Sequence, residues 1–223
     1  MILIPVFQPI KHVGTGSFIA AEVLARWYEK GRMIAPQNIK PPVDWGRVDI
    51  EVARFIENNL PLLCRQHCAL FINVSEQTLS TNVLFQEWAG IVSRIVETRS
   101  AKIVIEITEG VEDESLSDRW DALKNLGGEF ALDDYGDENS TMTRLSKYSW
   151  DYCKFDANRL HLLVDYLAIQ YCRKNGIQVI AEQIETPLQE QSAKLFGLLL
   201  QQGFHHGKPT ILDKHMNCLK ALT

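Results

Sequence analysis

The sequence predicts an α/β protein whose eight strands close into a TIM-like (β/α)8 barrel, with the first strand antiparallel to the rest. Three observations lead there. Short β-rich runs alternate with helix-length stretches along the whole chain, which is the pattern of parallel βαβ units. The runs number eight, the strand count of a closed barrel, and 223 residues suit one such unit. The link between the first two runs, Lys11 to Ser17, carries two glycines and is too short for a crossover helix, so those strands pair as antiparallel neighbours. A doubly wound open sheet is the alternative that the same alternation allows.

The first run, Leu3 to Ile10, follows a start with no basic segment and no small-residue cleavage site, so it reads as a strand and not a signal peptide. Phe18 to Trp27 is the second, and Lys40-Pro41-Pro42 beyond it reads as a surface loop. Val48 to Leu63 then places Val48, Val52, Phe55, Ile56, Leu60 and Leu63 on one helical side at steps of three and four. Ala69 to Ser75 is the third strand and Val83 to Val96 the next helix. Lys102 to Thr108, Phe130 to Tyr135 and Tyr152 to Asp156 continue the strands, and Leu160 to Cys172 reads as a helix. Gln178 to Glu182 and Leu198 to Phe204 complete the set. No linker or low-complexity tract interrupts the rhythm, so residues 1–223 are expected to form one domain with no attached sensory domain.

Composition narrows the function. A hydrophobic fraction of 46% and a charged fraction of 23% are ordinary for a soluble globular protein with a real core. The formal net charge of -5 argues against a DNA-coating role. An anionic phosphate ligand would have to be drawn by something else, and cations held by carboxylates would serve. No run approaches the length of a membrane span. The odd, scattered set of Cys64, Cys68, Cys153, Cys172 and Cys218 suggests reduced thiols in the cytoplasm.

The informative feature is where polar residues fall. Near the ends of successive runs stand Gln8, Glu22, Asn73, Glu106, Asp133 with Asp134, Lys154, Glu182 and Gln202. In a barrel the C-terminal rim is where such residues converge on one mouth. Period-two facing puts Lys154 and Asp156 on one side of their strand and Cys153 and Phe155 on the other. Carboxylates crowded at a mouth repel one another, which favours cations there over ordinary rim charges. Chemistry alone leaves Lys154 open between a catalytic group and a counter-ion to Asp156 or the aspartate pair. Asn73 could equally cap a loop, and Arg26 and Gln202 could be solvated side chains. His205 and His206 read as rim contacts.

At these same residues the sequence resembles the EAL family of cyclic di-GMP phosphodiesterases. Phe7-Gln8-Pro9-Ile10 is similar to the family's opening strand, and Glu22-Val23-Leu24 with Arg26-Trp27 stands where its name-giving Glu-Ala-Leu lies. Ile72-Asn73-Val74-Ser75, Glu106-Ile107-Thr108-Glu109, Leu132-Asp133-Asp134-Tyr135-Gly136 and Cys153-Lys154-Phe155-Asp156 resemble its successive strand-end blocks. Ala181-Glu182-Gln183-Ile184-Glu185-Thr186 and Gln202-Gly203-Phe204 complete the order.

The resemblance implies metal-dependent hydrolysis of cyclic di-GMP to linear pGpG by a cytoplasmic homodimer, with two Mg²⁺ or Mn²⁺ ions per active site. Glu22, Asn73, Glu106 and Asp133 would hold the first ion; Asp133 would bridge to a second, which Asp134 and Glu182 complete. Lys154, with Glu182, would be catalytic, orienting the attacking water or offsetting developing charge. Gln8, Arg26 and Gln202 would bind substrate, and Glu109, Glu185 and Asp156 would support the site. The pattern departs after Asp134, where the family's Thr-Gly-Tyr/Phe-Ser-Ser is replaced by Asp137-Glu138-Asn139-Ser140-Thr141, and at Gln183, which replaces a glycine. Glu138 narrows the backbone choices that glycine would leave open. An impaired EAL-like receptor for cyclic di-GMP or a protein partner is therefore the second reading, and a barrel enzyme acting on another phosphate ester the third.

Overall fold

In a computed structural model of the protein, residues 1–40, 42–66 and 68–212 are described; Pro41, His67 and 213–223, Cys218 among them, lie outside the described residues. Strand β1 (Ile2–His12) turns at Val13 to Gly16 into β2 (Ser17–Glu29), and the two pair antiparallel along nearly their whole length. A two-residue turn, Lys30-Gly31, folds β3 (Arg32–Ile34) back on the end of β2. Both turn residues have positive φ, 48° and 79°, as the twist of a tight hairpin requires.

A 3₁₀ turn (Pro36–Asn38) leads to α1 (Trp45–Gln66), and the chain then alternates strand and helix. In order come β4 (Ala69–Val74), α2 (Glu76–Ser80), α3 (Asn82–Glu97), β5 (Lys102–Ile107), α4 (Asp113–Lys124), β6 (Glu129–Leu132) and α5 (Met142–Lys147). There follow β7 (Tyr152–Asp156), α6 (Leu163–Lys174), β8 (Gln178–Glu182), α7 (Pro187–Leu195), β9 (Leu200–Gln202) and β10 (Thr210–Ile211).

Strands β2, β4, β5, β6, β7, β8 and β9 pair in that order and all in parallel. β1 closes the ring, antiparallel to β2 on one side and to β9 on the other. The architecture is therefore the TIM-like barrel with a reversed first strand, and the open sheet is excluded. Parallel strands buried on both faces must be apolar almost throughout, which is why their runs stand out. Their outward residues join the inner faces of the helices in one large core that includes Ile56, Leu63, Trp88, Ile95, Leu116, Phe155 and Ile169.

Three local expectations need correction. The helix read from Leu160 starts at Leu163, because Asp156 Oδ1 accepts bonds from Asn158 N and Nδ2 and Leu162 N bonds Arg159 O, which makes a turn first. The last run is a strand only over Leu200–Gln202. The second strand extends past Trp27 to Glu29 and carries the β3 hairpin. No disulfide forms among the described residues: Cys64, Cys68, Cys153 and Cys172 are free.

Candidate active site

Inside the barrel, side chains stack in layers set by the period of two. An apolar layer contains Ile10, Ala20, Phe71, Val104, Ala131, Tyr152, Ile180 and Leu200, one from each barrel strand. Two residues further toward the C-terminal mouth, the parallel strands place Glu22, Asn73, Glu106, Asp133, Lys154, Glu182 and Gln202. Gln8 joins them for a different reason from the one expected. β1 runs the other way, so its C-terminal end points away from this mouth; Gln8 reaches the layer as the cross-strand partner of Glu22.

Lys154 lies at the centre and is 1% exposed. Its Nζ is 2.7 Å from Glu106 Oε1, 2.8 Å from Asp133 Oδ1, 2.8 Å from Glu182 Oε1 and 3.3 Å from Glu22 Oε2. Glu22 also accepts from Gln202 Nε2 at 2.6 Å and from Asn73 Nδ2 at 3.2 Å. Four carboxylates thus share one ammonium in a dry layer. Glu106 Oε2 is buried with no hydrogen-bond partner among the described residues.

The electrostatics follow from that imbalance. Burial pushes Glu22 up, but the Lys154 charge and the bonds from Gln202 and Asn73 more than offset it and leave its pKa below the usual value. Burial, with the neighbouring carboxylates, holds Glu106 and Glu182 well above their usual range and raises Asp133. Asp134 is pushed up to about 7 by burial and the Asp133 charge. Burial works against the Lys154 ammonium, yet Asp133, Glu106, Glu182 and Glu22 together keep it firmly protonated.

Above the cluster a cleft of about 620 Å³ opens, lined on one side by Glu22, Asn73, Asp133 and Asp134. Arg26 lines it too, donating Nη1 to Ala25 O at 2.8 Å. Glu109 contributes to the same wall, and one oxygen each from Glu109, Asp133 and Asp134 lie within 4.8 Å of one another. Gln202 does not line the cleft; it is buried and faces Glu22. Asp156 turns away to Asn158, and Glu185 is exposed, its backbone N tied to Gln189 Oε1.

A match to the EAL domain model runs over residues 2–209. The chain belongs to the EAL family. The probable cyclic di-GMP phosphodiesterase PdeG of Escherichia coli K12 is 27% identical over 95% of this EAL chain and 45% of its own length. The cyclic di-GMP phosphodiesterase PdeL of the same organism is 25% identical over 96% of this chain and 64% of its own. The chain thus spans less than two thirds of either relative. Among solved structures, the PaMucR phosphodiesterase in complex with c-di-GMP superposes with a TM-score of 0.78 at 21% identity, covering 95% of this chain and 93% of that one. The Bacillus subtilis YkuI protein, in complex with c-di-GMP and calcium, gives 0.77 at 22% over 94% and 56%. At these identities the superpositions speak for the fold.

Two features of this EAL domain were visible as departures from the family pattern but not as geometry. Glu138 and Gln183 adopt positive φ, 39° and 55°, so the backbone keeps a glycine-like conformation although the glycines are gone. Glu138 also lines the cleft, bringing a further acid to its mouth. Asp49 of α1 lines it as well, and nothing in the sequence pattern singled it out.

The oxygen-rich donor set fits hard divalent cations. Four buried carboxyl groups and a single ammonium meet at one point, and Glu106 Oε2 is an orphaned acceptor there.

Proposed function

We propose that this EAL domain hydrolyses cyclic di-GMP to linear pGpG with two Mg²⁺ or Mn²⁺ ions. The observation that carries the reading is the convergence of Glu22, Glu106, Asp133 and Glu182 on Lys154 beneath a cleft of about 620 Å³, a volume suited to a compact organic ligand. Glu22, Asn73, Glu106 and Asp133 would hold one ion, and Asp133, Asp134 and Glu182 would hold the other. When bound, such ions polarise a phosphoryl oxygen and make water a better nucleophile. Lys154 would orient the attacking water or offset developing negative charge. Gln202 and Asn73 fix the Glu22 carboxylate by hydrogen bonds, so Gln202 would act on a ligand through Glu22 and not by contact, while Gln8 stands opposite Glu22 in the same layer. Arg26 at the cleft wall suits a phosphate oxygen pair. Glu109 supports the site through its backbone carbonyl, which accepts from Asn139 N at 3.1 Å.

The test is incubation with Mn²⁺ and cyclic di-GMP, with product followed by chromatography. pGpG should form, and Glu22→Ala should lose hydrolysis while keeping its melting temperature within a few degrees. Retained activity in that variant, or its unfolding, would break the assignment of Glu22.

Glu138 favours a second reading, that of a receptor which binds cyclic di-GMP without cutting it, because its charge opposes an anionic substrate at the mouth. Binding by calorimetry with no pGpG under either Mg²⁺ or Mn²⁺ would select it.

We also propose that the chain works as a homodimer in the cytoplasm. One face of α6 leaves Leu163, Val164 and Leu167 more than half exposed, an apolar patch that a second copy would cover. The free thiols suit a reducing compartment, and among the described residues no helix is long and apolar enough to cross a membrane.

A further inference from the structure

The start of α7 and the loop after β9 bring together groups that the proposed hydrolysis does not use. Glu190, His205 and His206 offer one carboxylate oxygen and two ring nitrogens that all lie within 4.8 Å of one another. The loop is pinned at its backbone, with His205 N bonded to Ile184 O at 2.9 Å and His206 N to Gly203 O at 3.0 Å. Lys194, one turn along α7, holds Glu190 Oε1, which leaves Oε2 to face the imidazoles. His205 Nε2 lies 2.9 Å from it. The Lys194 bond also holds the Glu190 carboxyl below its usual pKa, so the group is charged at neutral pH.

Gln201 decides how His206 is protonated. Its Nε2 donates to Leu198 O at 2.9 Å and to Glu190 O at 3.3 Å, both carbonyls that can only accept. The amide oxygen is therefore the atom turned to His206 Nε2, at 3.0 Å. An amide oxygen also only accepts, so His206 carries its proton on Nε2 and presents a lone pair at Nδ1. That lone pair faces the Glu190 Oε2 carboxylate at 4.0 Å, beyond hydrogen-bond reach. The His206 side chain is 1% exposed, and burial favours its neutral form. Two electron-rich atoms face each other with no proton between them. A neutral imidazole whose far N–H is tied to an amide oxygen is how protein histidines are oriented toward a metal.

We propose that Glu190 Oε2, His205 Nε2 and His206 Nδ1 bind one transition-metal cation of the Zn²⁺ class, at a site separate from the carboxylate cluster inside the barrel. Imidazole with carboxylate suits zinc, whereas Mg²⁺ prefers oxygen alone. Bonds of about 2.1 Å give a tetrahedron edge of roughly 3.4 Å. The 4.0 Å gap must close and the 2.9 Å contact must open by about half an ångström each. Those are side-chain movements. His205, with 28% of its side chain exposed, leaves a fourth position open to water. His205 binds through Nε2 as the neutral ring whose one proton sits on Nδ1, so the contact it now makes to Glu190 Oε2 gives way to the cation. Occupancy would fasten α7 to the loop that begins at Gly203.

The test adds zinc chloride to the full chain in excess Mg²⁺, which fills the oxygen sites of the barrel. Binding is followed by calorimetry and by nitrogen-15 spectra of the histidine rings. One Zn²⁺ per chain is expected, with the His206 Nδ1 signal displaced while its Nε2–H persists. His205→Ala and Glu190→Gln should each lose the binding heat, and Asp133→Asn should keep it. His205 is exposed, so the unchanged melting temperature of His205→Ala without zinc separates lost ligation from lost fold. No binding heat, heat unaltered in His205→Ala, or heat lost in Asp133→Asn would overturn the proposal.

Discussion

Asp49 shows how one side chain can carry a stability cost that the helix around it conceals. It is buried in α1, and its Oδ2 accepts from Ser75 N at 2.9 Å, Ser75 Oγ at 2.6 Å and Thr78 Oγ1 at 2.6 Å. Burial outweighs those bonds and pushes its pKa from 3.8 to about 6. The folded state therefore binds the proton more tightly than the unfolded chain. Its contribution is most favourable below pH 3.8, falls as pH rises to about 6, and stays lost above that. The loss is about 3 kcal/mol for a shift of this size. Asp49→Asn keeps an oxygen for the three donors and removes the charge. It should raise stability by about 1–2 kcal/mol at pH 7.5, with the gain shrinking toward pH 4 in denaturant titrations. A gain independent of pH would show that charge burial is not the cause. Gln183 is a second residue-scale case. Its φ of 55° costs about 1 kcal/mol in a residue with a Cβ, so Gln183→Gly should stabilise by about that amount, measured by the same titration. A destabilised variant would mean that the Gln183 side chain contributes more than the strain removes.

Among the elements, the loop from Asp134 to Thr141 joins the cleft to the outside of the barrel. It closes on itself through Gly136 N to Ser140 O at 2.7 Å and Ser140 N to Asp137 O at 2.8 Å, and Arg159 ties Asp137 to Asp165 of α6. Asp137→Thr with Glu138→Gly exchanges the strain at Glu138 for a lost surface ion pair, two terms of about 1 kcal/mol that nearly cancel. Stability should hardly change, while Mg²⁺ affinity and pGpG formation should rise as a negative charge leaves the cleft. Reduced turnover would instead make the acidic loop part of the machinery. Much of this level was legible in the sequence. Strands buried on both faces announce themselves as apolar runs, and the short Lys11 to Ser17 link gave away the reversed first strand. The three-residue β3 and the five-residue α2 were not legible, because elements that short carry no periodicity. The polar layer could be read because each of its members on the parallel strands follows its strand's apolar layer by two residues. Lys154 was left open because its partners are non-local, Glu22 standing 132 residues away. Asp49 escaped notice for the same reason, its partners being 26 and 29 residues further on.

At the scale of the whole molecule, the barrel interior holds an electrostatic debt that its fold cannot settle alone. The apolar layer lies below the cluster, and the cleft opens above it beside Glu22 and Asp133. Among the described residues, Lys154 is the one cation that contacts Glu22, Glu106, Asp133 and Glu182 together. Removing it should therefore unsettle the entire ring of strands. Lys154→Met keeps the length of the side chain and deletes the charge. Breaking a buried ion pair on one side costs about 3–5 kcal/mol, which for a chain of this size is roughly 10 °C of melting temperature. That fall should appear in full when divalent ions are chelated. If the cluster is a cation site, Mg²⁺ should restore most of the loss by taking over the role of the ammonium, and it should raise the melting temperature of the variant more than that of the unaltered chain. Thermal melts of both proteins, with chelator and with Mg²⁺, make the comparison directly. Equal Mg²⁺ responses in the two would mean that the ion binds away from Lys154. A variant as stable as the parent under chelation would mean that the carboxylates simply take up protons, and a melt at pH 8.5 would then expose the same deficit by removing them.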